Sequence, residues 1–172
     1  NIDIMKVHYP ISDEDTTITS GYMVIVKNND RCLFLVNDAP GIQPGKIKNI
    51  VVEMFFLKPG ESWAFDFGMY HYILSATGAE PDTSSGWYNG EYNLFLEETN
   101  LLKQKQLIAS DTLGSETPFT FYWMGDLNDD GQPDFLIDIS WHYNLSLPTL
   151  FLSPGEKNGL VRQVAQLSRT GC

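Results

Sequence analysis

Residues 125–134 read Gly125-Asp126-Leu127-Asn128-Asp129-Asp130-Gly131-Gln132-Pro133-Asp134. Before them stands Phe119-Thr120-Phe121-Tyr122-Trp123-Met124, and after them Phe135-Leu136-Ile137-Asp138-Ile139-Ser140-Trp141. Both flanks are aromatic and β-branched, the composition of strands. The stretch therefore predicts two antiparallel strands joined by a polar turn. The chain on either side repeats this pattern, which makes the hairpin the key to the fold class.

The turn has a chemistry of its own. Side-chain oxygens alternate at Asp126, Asn128 and Asp130, Gly131 follows, and Asp134 closes the series. Alternating oxygens around a tight glycine turn suit a hard cation with six to eight oxygen ligands, which is calcium. Gln132 would add its backbone carbonyl. Gly131 stands where the chain must turn sharply, at a positive φ that glycine adopts without steric cost. Two carboxylates about 4 Å apart repel by roughly 4 kcal/mol at an effective dielectric near 20. Three of them in one small space need a cation, or the loop opens. Asp129 is expected to point away from the ion. A plain hairpin turn would use the same residue types for other reasons, since Asp, Asn and Gly favour turns.

A helix-loop-helix calcium hand needs a glutamate at position twelve counted from Asp126. That position is Ile137, and the flanks are not helical in character. The loop instead resembles the FG-GAP, integrin-type calcium loop, in which the last carboxylate stands at position nine between two strands. The resemblance covers Asp126 to Asp134 alone. It implies side-chain ligands at Asp126, Asn128, Asp130 and Asp134, a carbonyl ligand at Gln132, and Ca2+ as the ion. A propeller needs several such blades, and the chain carries one such loop.

The remaining sequence reads as further strands. Ile2–Val7, Tyr22–Lys27 and Cys32–Val36 are expected strands, the last two a hairpin over Asn28-Asn29-Asp30. Ile47–Leu57 is one continuous apolar run, the pattern of a buried strand. Lys58-Pro59-Gly60-Glu61 is a turn. Trp63, Phe65 and Phe67 then alternate with polar residues, and Tyr70, Tyr72 and Leu74 share the inner face of the returning strand. Tyr92–Glu97 and Leu101–Ser110 form another expected hairpin, although Leu101–Leu107 has helical propensity. Thr149–Leu152 and Leu160–Leu167 end the series. Turn signals recur every eight to twelve residues. The expectation is an all-β fold, an antiparallel β-sandwich or partly closed barrel with a calcium-loop hairpin, in one domain over residues 1–172.

Composition sets limits. The chain has 172 residues, a net charge of −11, 42% hydrophobic and 13% aromatic residues. It can bury a real core. The charge argues against nucleic acid, which needs clustered Lys and Arg, and against an anionic membrane surface. No apolar run approaches the length of a transmembrane helix. The chain begins at Asn1 without an initiator Met, as a mature secreted form or a trimmed chain would.

Other residues carry weaker signals. The two cysteines, Cys32 and Cys172, suggest one disulfide in an oxidising compartment. It would close a loop of about 140 residues, worth about 5 kcal/mol at most in the chain-entropy picture. Two unpaired thiols are the alternative. Trp87 and Tyr88 sit in a Gly- and Ser-rich loop, where flat rings can stack on a sugar or dock a partner. They can equally fold back to plug the core. Asp138, Ser140 and His142 alternate along one strand face, about 7 Å apart, beyond hydrogen-bond reach. They read as a solvent face. His71 could meet Asp66 across the Gly68 turn as a surface pair. The three histidines lack zinc spacing.

The functional expectation is a secreted or periplasmic, calcium-stabilised β domain with a recognition or structural role. Carbohydrate or protein at a cell surface is the expected partner. The alternatives are a hydrolase with an acidic site assembled from distant residues, or an accessory module of a larger surface protein.

Overall fold

The computed structural model describes residues 2–10, 18–26, 31–36, 41–51, 54–79, 90–111, 116–154 and 159–171; up to residue 36 and at 49–51 the description is of the backbone. The strands are β1 Ile2–Pro10, β2 Ile18–Val26, β3 Arg31–Val36, β4 Gly45–Val51, β5 Phe55–Phe56, β6 Ser62–Phe67, β7 Tyr70–Gly78 and β8 Tyr92–Glu98. They continue with β9 Gln104–Asp111, β10 Thr120–Asp126, β11 Asp134–Asp138, β12 Leu145–Ser146, β13 Pro148–Leu152, β14 Arg162–Gln166 and β15 Arg169–Thr170. Among the described residues the fold is all-β, antiparallel and without helix.

The larger sheet has the order β14-β13-β11-β10-β4-β1-β2-β3, with β5 also paired to β10. A second sheet has the order β6-β7-β8-β9, and β12 pairs with β15. Both main sheets have open edges, and among the described residues no barrel closes.

The inner strands follow from their side chains. On β6 the exposed residues Ser62, Ala64 and Asp66 alternate with the more buried Trp63, Phe65 and Phe67. β7 buries Tyr72, Leu74 and Ala76 on one face, and β8 buries Tyr92, Leu94 and Leu96. These meet Phe121, Met124, Phe135, Ile137 and Phe151 of the larger sheet, and Phe119 just before β10, in one hydrophobic cluster. Tyr92 and Phe119 pack edge to face at 4.7 Å across it. Each fully buried ring contributes roughly 1.5–3 kcal/mol against exposure.

β11 is buried along its whole length, because both of its faces are covered. Phe135 and Ile137 face the shared core. Leu136 faces a second cluster with Ile42, Trp123, Leu127, Leu150 and Leu152. A bulge on β10 makes this possible. Phe121 pairs with Ile137 and Trp123 with Leu136, which leaves Tyr122 extra. The extra residue shifts the phase, so Phe121 and Met124 join one cluster and Trp123 the other.

Three boundaries differ from the sequence reading. The apolar run Ile47–Leu57 is divided into β4 and β5, and both segments pair with β10. The segment Leu101–Leu107 is not helical: Lys103 takes φ 49°, and β9 starts at Gln104. Glu98 fixes this turn by accepting the N–H groups of Asn100, Leu101, Leu102 and Lys103. β11 ends at Asp138, three residues before Trp141, because Asp138 Oδ1 accepts the Ser140 N–H at 3.0 Å and turns the chain. No described helix is long and apolar enough to cross a membrane.

Candidate metal centre

The β10–β11 hairpin presents the loop as the sequence predicts, with Gly125 opposite Asp134. Gly131 takes φ 80° and Asp129 φ 58°. Asp129 and Asp130 are exposed, whereas Asp126 and Gln132 are buried and Asp134 has no exposed surface. Leu127 anchors the loop by plugging the second hydrophobic cluster. Gln132 is thus the buried residue that follows the Gly131 turn.

Backbone donors shape the loop. Asp126 Oδ1 accepts the Asp130 N–H at 3.1 Å, and Oδ2 the Gly131 N–H at 2.9 Å. Asp130 Oδ1 accepts the Gln132 N–H at 2.9 Å. Asp134 reaches across the hairpin to accept the Leu127 N–H at 2.6 Å and the Ser153 N–H at 2.7 Å. Ser153 Oγ lies 2.7 Å from Asp130 Oδ2 and 3.0 Å from Asp134 Oδ1. The Asn128 amide donates to Asp130 Oδ2 at 3.2 Å and to the Ser153 carbonyl at 3.1 Å. The loop and the end of β13 are therefore one unit.

Ser153 was not legible as a site residue. In the sequence it opens a Ser-Pro-Gly turn. It enters because β13 is the neighbour of β11 in the sheet, and no local signal reports that pairing.

The electrostatics are unbalanced. Among the described residues no Lys or Arg pairs with the three loop acids. Lys48 stands opposite Asp126 in the β4–β10 register, but its ammonium lies over the Phe67 ring at 4.3 Å. Burial pushes the Asp134 carboxyl up to about 7, and the charge of Asp130 adds to this against the N–H bonds. Burial raises Asp126 as well, with Asp130 again adding.

The fit to a cation rests on the donor set and on one orphaned atom. Asn128 Oδ1 is buried and has no hydrogen-bond partner. Its amide nitrogen already serves two acceptors, so the free oxygen must point elsewhere. Buried acceptors are nearly always partnered, and a cation is a partner that three acids would share. Calcium takes carboxylate, amide and carbonyl oxygens, and Asp126, Asn128, Asp130, Gln132 and Asp134 supply these types. Against this, among the described residues no three His, Cys, Asp or Glu side chains converge as a ready-made metal cluster. In the geometry described, the loop acids are turned toward backbone N–H donors.

The other candidates divide. His71 does meet Asp66: they are opposite each other on β6 and β7, and His71 Nδ1 contacts Asp66 Oδ1 on an exposed face. Asp138, Ser140 and His142 do not form a solvent face. Asp138 is buried, with its carboxylate accepting from Tyr122, Ser146, Ser140 and Leu147. His142 turns instead to Glu116, 3.3 Å away, and to Asn144. Trp87, Tyr88 and Cys172 lie outside the described residues, and Cys32 is described in its backbone alone. Cys32 belongs to β3, one edge of the larger sheet. Gly171, beside Cys172, bonds to the Asn144 carbonyl next to β12.

Comparison with known proteins finds no matching family model, no matching curated protein and no matching solved structure.

Proposed function

We propose that the chain is a β-sandwich recognition module of the extracellular or periplasmic space, held together at its β10–β11 hairpin by one calcium ion. Asp126, Asn128, Asp130 and Asp134 bind through side chains and Gln132 through its carbonyl. The observation that carries this reading is the buried, unpartnered Asn128 Oδ1 beside three acids that lack a Lys or Arg partner. The ion's role is structural. It joins the hairpin to Ser153 at the end of β13 and offsets the repulsion among the acids. Calcium is abundant outside cells, and the net charge of −11 suits that medium. A disulfide between Cys32 and Cys172 belongs to the same reading.

Binding is linked to folding, because the ligands are brought together by the native hairpin. An ion at one hundred times its dissociation constant adds roughly 2.7 kcal/mol. For a domain of this size the melting temperature rises by about 5–10 °C. Magnesium serves poorly, since it demands a smaller octahedral site and keeps its waters. The test is a thermal melt in calcium, in magnesium and in chelator, with metal analysis of each sample. Equal melting temperatures in calcium and in a sample shown to be metal-free would remove the proposal.

A further inference from the structure

A cleft opens at the start of β6. It has a volume of about 580 Å³ and is lined by Phe55, Leu57, Glu61, Ser62 and Trp63. That volume lies within the range of small-molecule sites. The acidic loop abuts the other end of β6, where Gly68 approaches the Gly131 carbonyl. Six residues of strand separate the two places, about 20 Å.

The rings of the cleft are partly exposed and fixed from behind. Phe55 stacks on Phe121 at 4.5 Å and 7°. Trp63 stacks on Phe65 at 4.9 Å. Each ring thus has one face covered. Phe55 and Trp63 meet at 71° with centroids 5.2 Å apart, an edge against a face. Whichever ring supplies the edge, that contact covers one of the two remaining faces. Among the described residues one aromatic face is left without a ring partner.

Glu61 supplies the charge. Its Oε2 accepts the Lys58 N–H at 2.8 Å, which fixes the carboxylate at the turn. Among the described residues no cationic side chain pairs with it, the Lys58 ammonium included. The cleft therefore combines a steep aromatic corner, an apolar lining residue in Leu57 and, among the described residues, one carboxylate without a cationic partner.

We propose that this cleft binds an organic cation of the quaternary or methylated ammonium class, with the onium group against the aromatic face that lacks a ring partner and Glu61 as its counter-charge. Aromatic faces carry negative potential and attract such groups. Methyl groups on the nitrogen suit an apolar lining better than a hydrated primary ammonium does. A sugar would need several converging polar partners, and the lining offers Glu61 and Ser62 alone. The surplus negative charge of the chain draws cations toward it. The proposal deepens the recognition role given above and is independent of the calcium. The two fail separately, one in the melts and the other in a titration run in both calcium and chelator.

The probe is choline chloride, titrated into the intact protein against potassium chloride and followed by indole fluorescence and calorimetry. Its uncharged isostere 3,3-dimethyl-1-butanol and glucose are titrated in parallel. Choline is expected to saturate, with the isostere and glucose much weaker. Glu61→Gln alters an exposed side chain and is expected to weaken choline about threefold to fivefold. Phe55→Leu and Trp63→Leu keep apolar volume but remove a ring, and at least one of them weakens choline about tenfold. A melt of each variant shows that it is folded. The proposal is overturned if choline does not saturate, if the isostere or glucose binds as well as choline, or if folded Glu61→Gln binds choline unchanged.

Discussion

Asp134 and Asp138 open and close the same strand, both buried, four residues apart, and they are opposite in character. Asp138 has four donors for its two oxygens: Tyr122 Oη and Ser146 Oγ at 2.8 Å on Oδ2, and the N–H groups of Ser140 and Leu147 on Oδ1. Burial works against its charge, but these donors outweigh burial and hold its pKa below the usual carboxylate range. Asp134 also has donors, from Leu127 and Ser153, yet burial wins and its pKa stands near 7. The difference is first one of burial and donor number: Asp134 has no exposed surface, and the cost of burying its charge is the largest influence on it. Asp138 has four donors to itself, while Asp134 has two N–H groups of its own and shares the Ser153 hydroxyl with Asp130, whose charge adds a smaller push upward. A buried acid with its own donors is a structural pin. A buried acid beside other acids is where the proposed cation would bind.

The strongest test of that contrast is removal of the pin. Asp138→Ala leaves two hydroxyls and two N–H groups without their acceptor in a buried place. Losses of this kind cost about 3–5 kcal/mol, which lowers the melting temperature by about 10 °C for a domain of this size. The drop should be the same in calcium and in chelator. A drop seen only in one of the two media would show that the two ends of β11 are one site, and the contrast would collapse.

The pH dependence of stability separates the two acids next. Asp134 has a folded pKa raised above its unfolded value near 3.9. Its contribution is fully present below pH 4 and is lost as pH rises through about 7. Glu98 behaves like Asp138. Burial opposes its charge, but the N–H groups of Leu101, Asn100, Leu102 and Lys103 lower its pKa. These two acids contribute stability above their unfolded pKa that is lost as pH falls through the lower folded one. In chelator the melting temperature should fall from pH 4 to pH 7, and it should also fall below pH 4. In calcium the fall between pH 4 and 7 should flatten, since the ion binds the ionised acids. A flat profile between pH 4 and 7 in chelator would mean that Asp134 is compensated after all.

Much of this arrangement was legible in the sequence, and the reasons differ by element. The β6–β7 hairpin follows from alternation: Trp63, Phe65 and Phe67 face inward against Tyr70, Tyr72 and Leu74, as a period of two dictates. The turn at Gly131 follows from local chemistry, since the loop needs a positive φ there. Asp138 was misread because alternation assigns a face and says nothing of what covers it. β11 is covered on both sides, so a polar residue on its second face is buried too. Ser153 and the Phe55–Trp63 corner depend on which strands become neighbours. That information lies in no window of sequence, because it is set by the packing of the whole sheet.

The smallest effect concerns the two adjacent acids of the loop. Asp130 accepts from Gln132, Asn128 and Ser153 and adds to the raised pKa of Asp134. Asp130→Ala should therefore abolish most of the calcium-dependent rise in melting temperature, and it should soften the pH slope in chelator. Asp129 is exposed, as Asp130 is, but takes φ 58°. Asp tolerates this left-handed conformation better than Ala does. Asp129→Ala should cost about 1 kcal/mol in calcium and in chelator alike, a uniform fall of about 2–4 °C. Asp129→Gly removes the strain and should recover that loss, again in both media. The quantity to measure is the gap between the calcium and chelator melts for each variant. The gap should stay at the parent value in both Asp129 variants and shrink in Asp130→Ala. If Asp129→Gly closes the gap as far as Asp130→Ala does, the loop responds to net charge alone, and alternate positions around Gly131 do not define the ligands.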